Sequence, residues 1–144
     1  MHIPLLCLLG FVSWTVLIVV VGIAGVRFTA IATGTAPPNG FPADVPHGSD
    51  RYRRTMRAHI NSVENLPLFA SVVLTGAVVH AGSPLMDTLA LTYLGARVFH
   101  TLFHVASGRG LGIALRLTAY VVQLVCLSWM GVLVARVILA SKLV

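Results

Sequence analysis

Residues 3–26 carry no charged side chain, and that one run limits the fold more than any other part of the chain. A helix of this length exceeds the roughly 20 residues needed to cross a hydrocarbon core. Ala30-Ile31-Ala32 has the form of a signal-peptide cleavage site. Against that reading, the start lacks Lys and Arg, and the apolar region is too long for a secretory signal. The run is therefore expected to be a retained first span, about residues 3–31, with Arg27 near its end.

The rest of the chain has the same character. Hydrophobic residues make up 57% of the 144, only 10% are charged, and the mean hydropathy is +0.91. A soluble domain carries about a quarter charged residues, so an integral membrane protein of one domain is expected. The formal charge of +6 does not imply nucleic acid, because no basic helix or aromatic-rich basic patch is present. Basic residues at the ends of spans instead orient the chain and meet anionic lipid headgroups. Cys7 and Cys126 lie within apolar runs and fit neither a metal motif nor a disulfide framework. No metal ligand set is expected.

Residues 32–50 are dense in Gly and Pro and read as a loop, with Asp50 able to cap the next helix. A second helix is expected over about 51–81, bent just after its polar stretch by Pro67. Gly82-Ser83-Pro84 supplies a glycine past one helix end, a serine cap and a proline in the first turn. The third helix spans about 84–106, a turn follows at Ser107-Gly108-Arg109-Gly110, and the fourth covers about 111–140. Gly108, Gly110 and Gly112 follow no strand and make no nucleotide loop. Four antiparallel spans place both termini on one side. Arg51, Arg53, Arg54 and Arg109 lie in or beside the two opposite loops, whereas the terminal side has little beyond Arg136 and Lys142. The positive-inside rule then puts those loops in the cytoplasm and both termini outside, in an inner or cytoplasmic membrane.

Polar residues interrupt this pattern at one end only. Arg57, Asn61 and Glu64 stand at i, i+4 and i+7 on the second helix and share a face. Arg97, His100 and His104 do so near the end of the third, and Arg116, Tyr120 and Gln123 near the start of the fourth. With Arg27 they fall within a few turns of the cytoplasmic surface at 1.5 Å per residue. A charge at the bilayer centre costs about 2.5–3.5 kcal/mol on insertion scales, so such residues face partners or a wet cavity. Headgroup snorkelling explains the outer arginines one by one, and Glu64 has candidate ion-pair partners in Arg57 and Arg97. An excess of arginines over one membrane carboxylate points further, to a polyanionic ligand entering from the cytoplasm. Two rivals use the same residues. His100 and His104 at i, i+4, with His59, suit a haem or metal, and Glu64 suits a small transporter. No haem attachment motif or Cys/His cluster supports the first, and the crowd of arginines opposes a cation carrier.

The segment Arg57-Ala58-His59-x-Asn61-x-x-Glu64-Asn65-x-Pro67-x-Phe69 resembles the signature of the MAPEG family, membrane-associated proteins in eicosanoid and glutathione metabolism. Ala96-Arg97-Val98-Phe99-His100 does so too, and most of the chain follows the order of elements. The likeness is to the microsomal glutathione transferase-like members of bacterial type. It implies an all-α, four-transmembrane-helix protomer in a homotrimer, with glutathione between protomers. The binding positions correspond to Arg27, Arg57, Asn61, Glu64, His100, Arg116 and Tyr120. In active members an arginine near sulfur stabilises the thiolate, which attacks a hydrophobic electrophile or reduces a peroxide. Arg116 is the candidate for this catalytic role and His104 the runner-up. His104 stands where eicosanoid-metabolising members carry tyrosine. Ile60 replaces a basic residue of the prostaglandin E synthase branch, and Leu117 its hydroxyl residue. These departures favour a general glutathione-dependent transferase or peroxidase over a prostaglandin isomerase, with a non-catalytic, repurposed member as the alternative.

Overall fold

The uncharged run folds as helix α1, His2–Ala32. A computed structural model describes residues 1–42, 45–108 and 110–141 of the chain. Seven residues of α1, Ile18–Ala24, widen into π-helical turns between α-helical His2–Leu17 and Gly25–Ala32. Gly22 lies in this segment, and a Cβ there would stand 2.5 Å from Thr55 Cγ2. The missing side chain lets α1 lie directly on the next helix.

That helix, α2, runs Asp50–Val78 and continues through Pro67. Its cap is Ser49, whose Oγ accepts from Tyr52 N at 3.2 Å, and not Asp50 as the sequence suggested. Asp50 sits in the first turn, where the helix dipole favours an anion, and pairs with Arg53. The buried face of α2 repeats every three or four residues through Thr55, Ala58, Ser62, Asn65, Phe69 and Val73. Hydroxyls on that face satisfy themselves within the helix: Ser62 Oγ donates to Ala58 O and Thr55 Oγ1 to Arg51 O, both at 2.9 Å.

At the far end the chain leaves α2 through a left-handed residue. His80 has φ of 57°, with Ala81 N bonded to Gly76 O at 2.9 Å and His80 N to Ala77 O at 3.3 Å. These two bonds form a Schellman stop, so His80 takes the position the sequence reading gave to Gly82. Helix α3, Pro84–Ala106, starts as its sequence suggests, with Ser83 Oγ accepting from Met86 N at 3.1 Å and Pro84 in the first turn. Helix α4 covers Leu111–Ser141. Arg109 and Lys142, which entered the charge argument, lie outside the described residues.

Helices α3 and α4 pair most extensively; α1 lies on α2 and α3, while α2 also touches α4. The middle of the bundle is closed by Phe11, Phe69 and Tyr93. Phe69 and Tyr93 stack at 4.2 Å between centroids, and Phe11 tilts against them at 6.2 and 6.0 Å. The outward faces are apolar as well: Leu6, Val21, Val125 and Leu139 are all exposed. Both α1 and α4 are long and apolar enough to cross a membrane.

Candidate functional site

The end of α1, the start of α2, the end of α3 and the start of α4 meet at one end of the bundle. Arg97 anchors it. Its side chain has 0% exposure, and Nη1 donates to Asn61 Oδ1 at 2.6 Å. The guanidinium also sits 5.2 Å over the Phe11 ring. Its Nε and Nη2, and the neighbouring Tyr93 hydroxyl, have no protein partner. The ion pair between Glu64 and Arg97 that the spacing allowed is not made, nor is one between Arg57 and Glu64. Among the described residues the ion pair formed is Arg53 with Asp50. Asn61 outcompetes Glu64 because it lies beside the buried face of α2, whereas Glu64 is exposed.

One turn toward the surface, α3 presents His100 and His104, with ring centroids 5.6 Å apart. His100 is buried and its ring is 6.1 Å from that of Tyr120 on α4. Arg116, half-buried, stands one turn before Tyr120 on α4, at the same end of the bundle as His104. Gln123 turns away from any opening: its Nε2 donates to Ala119 O at 3.0 Å and to Ala96 O at 3.3 Å, tying α4 to α3.

The remaining candidates lie apart from this cluster. Arg57 and Glu64 are exposed along the outer edge of α2, and Glu64 has no hydrogen-bond or ion-pair partner among the described residues. Arg27 is held elsewhere: its Nε donates to Tyr52 Oη at 2.6 Å, and its guanidinium lies 5.3 Å over the Phe41 ring. His47 closes the same aromatic box, 5.8 Å from Phe41 and 5.5 Å from Tyr52. Within one chain Arg27 thus organises the loop after α1. The sequence reading passed over Arg97 as a site residue. Its signal was its place on the histidine face at i, i+3, i+7.

Chemically, the cluster offers cations at a helix-bundle mouth, with an unpaired carboxylate on its flank. Such a mouth suits an anionic ligand, since guanidiniums form charge-assisted hydrogen bonds with carboxylates and phosphates. The decisive comparison is at the level of the family: residues 3–136 match the profile of the MAPEG family. The chain belongs to the MAPEG family. Comparison with curated proteins gives no match. As a MAPEG protein it is membrane-integral, in a family that includes glutathione transferases and peroxidases among other members. The four helices, two of them long and apolar, agree with that membership. Among the described residues no group of three or more His, Cys, Asp or Glu side chains is arranged to hold a metal.

Proposed function

We propose that this MAPEG protein is a glutathione-dependent transferase or peroxidase, working as a homotrimer on hydrophobic electrophiles or peroxides. The observation that carries the reading is the division of charge at the bundle mouth. Arg116 stands one turn from Tyr120 of the His100–His104–Tyr120 cluster, Arg57 is exposed on α2 at the same end of the bundle, and Glu64 faces out of the protomer unpaired. Glutathione has the complementary pattern, with its carboxylates for the arginines and its ammonium for Glu64. An outward-facing, uncompensated edge of α2 also favours a neighbouring copy of the chain over it. In this reading Arg27, engaged with Tyr52 in its own chain, serves the site of an adjacent protomer. Asn61 fixes Arg97 beneath the site.

Arg116 is assigned to hold the thiolate. The opposite charge favours ionisation of the glutathione sulfur, whose lone pair then forms the new bond to an electrophilic carbon as the leaving group departs with its bonding pair, or to a peroxide oxygen as the O–O bond breaks and an alcohol leaves. The thiol proton leaves to water at the open mouth. In peroxide reduction a second glutathione closes the disulfide. All four helices cross the membrane in this reading, with the α1–α2 and α3–α4 loops in the cytoplasm.

Calorimetry with glutathione tests the binding. The intact protein should bind it, and Arg57→Ala or Arg116→Ala should weaken binding roughly ten- to hundred-fold, the worth of one charge-assisted contact. Glu64→Gln should weaken glutathione but spare an analogue lacking the ammonium. An intact protein giving no binding heat sinks the proposal. His104 favours one second reading, a glutathione-binding member without turnover. In that case binding persists, but adding glutathione at neutral pH produces no thiolate absorbance. The catalytic reading expects the absorbance, and expects Arg116→Ala to remove it. If Arg116→Ala keeps both absorbance and turnover, the role passes to His104.

A further inference from the structure

We propose that a groove on the α1–α3 flank, away from the glutathione-site residues, holds one acyl chain of an anionic phospholipid from the surrounding leaflet. The groove has a volume of about 410 Å³ and is lined from Trp14 to Val26 along α1. Tyr52, Thr55 and Thr101, all buried, form its floor. Val21 and Leu102 form its lips and are 62% and 53% exposed, so it opens sideways into the hydrocarbon and not toward water. None of the proposed glutathione ligands lines it.

Three features select the occupant. The first is length. At the α-helical rise of 1.5 Å residues 14 to 26 would span about 18 Å, and the flatter π-helical turns shorten this toward the roughly 15 Å of hydrocarbon in one leaflet. The second is shape. Ile18, Val21 and Gly22, which line the groove, belong to the π-helical segment, an irregularity often found at functional sites. Its wider turns set the α1 wall of the channel.

The third feature is charge. Arg51 lines the groove, and its guanidinium has no hydrogen-bond or ion-pair partner among the described residues. Arg54 does not line the groove itself, but its Nε donates to the carbonyl of the lining residue Val105 at 3.1 Å, which brings a second guanidinium next to that end. Arg53 is different, because Asp50 already pairs with it. Among the described residues no carboxylate lines the groove. An apolar channel one leaflet long, ending at uncompensated guanidiniums, fits an acyl chain tethered to a phosphate headgroup. A neutral lipid fills the channel but leaves the rim unanswered.

Native mass spectrometry of the detergent-purified protein, titrated with phosphatidylglycerol or phosphatidylcholine, tests this. The expected result is saturable binding of one phosphatidylglycerol per protomer, preferred over phosphatidylcholine. Val21→Trp, at an exposed lip, should fill the channel and weaken that binding about tenfold or more. Arg51→Gln, at an exposed position whose guanidinium makes no hydrogen bond or ion pair among the described residues, should lower the headgroup preference about fivefold. Equal binding of the two lipids by the intact protein overturns the proposal. So does undiminished phosphatidylglycerol binding by Val21→Trp, including the case where the oligomer falls apart and a second copy proves to be the occupant. If Val21→Trp fails to fold, the Arg51→Gln preference decides alone, and an unchanged preference overturns the proposal.

Discussion

Arg97 shows what a buried cation in a membrane bundle requires. It has one short hydrogen bond, from Nη1 to Asn61 Oδ1 at 2.6 Å, and an aromatic face beneath it. Asn61→Leu removes the acceptor while leaving the charge inside. We expect a stability loss of about 1.5–3 kcal/mol, the range for hydrogen bonds to charged groups. Thermal denaturation in detergent measures it, and an unchanged midpoint would mean that Phe11 and solvent suffice. The sequence made part of this legible. Periodicity placed Arg97, His100 and His104 on one face of α3, where they are found. It could not choose between Asn61 and Glu64 as the partner, because three residues on a helix differ by a small angle. Only the distance across to α3 separates them. Arg27 shows the same limit: its tie to Tyr52 spans 25 residues and depends on the path of an irregular loop.

At the scale of elements, two backbone details carry predictions. His80 occupies the left-handed position of the α2 stop, which costs a residue with a Cβ roughly 1–2 kcal/mol. His80→Gly should therefore raise the denaturation midpoint by the equivalent of about 1 kcal/mol. A lowered midpoint would show that the imidazole makes contacts outweighing the strain. Gly22 gives the opposite case. Alanine is ordinarily better than glycine inside a helix by roughly 0.5–1 kcal/mol. Here its Cβ would meet Thr55 Cγ2 at 2.5 Å, so Gly22→Ala should destabilise by about 1–3 kcal/mol. Repeating it in the Thr55→Ser background, which keeps the hydroxyl bonded to Arg51 O, should restore the loss. If the two changes simply add in denaturation experiments, α1 does not rest on α2 at this point. Residue types announced the Ser83-Pro84 helix start, since capping is local chemistry. They did not announce the π-helical turns, because a run of valines, isoleucines and glycines has no periodic mark that distinguishes one helical pitch from another.

For the whole molecule, the expected orientation has a direct test. Asn39 is exposed in the loop between α1 and α2, and the native Cys7 and Cys126 are buried thiols that give little background. Asn39→Cys should react with a membrane-impermeant maleimide in inverted vesicles and stay unlabelled in intact cells. The reverse pattern would place the termini in the cytoplasm. The bundle's division of labour also says something about how the chain is made. Its first and last helices are long and apolar enough to cross a membrane despite Arg27, Arg116 and Arg136, whereas α2 and α3 carry Arg57, Glu64, Asp87, Arg97, His100 and His104. Each middle helix has an apolar outward face but a polar stripe, on the half near the bundle mouth, that needs cover. Joined by the short turn around Ser83, they can leave the translocon as one hairpin. The bond from Arg97 to Asn61 lies wholly between those two helices, so the hairpin carries the partner of its own buried charge and needs neither α1 nor α4 to supply one.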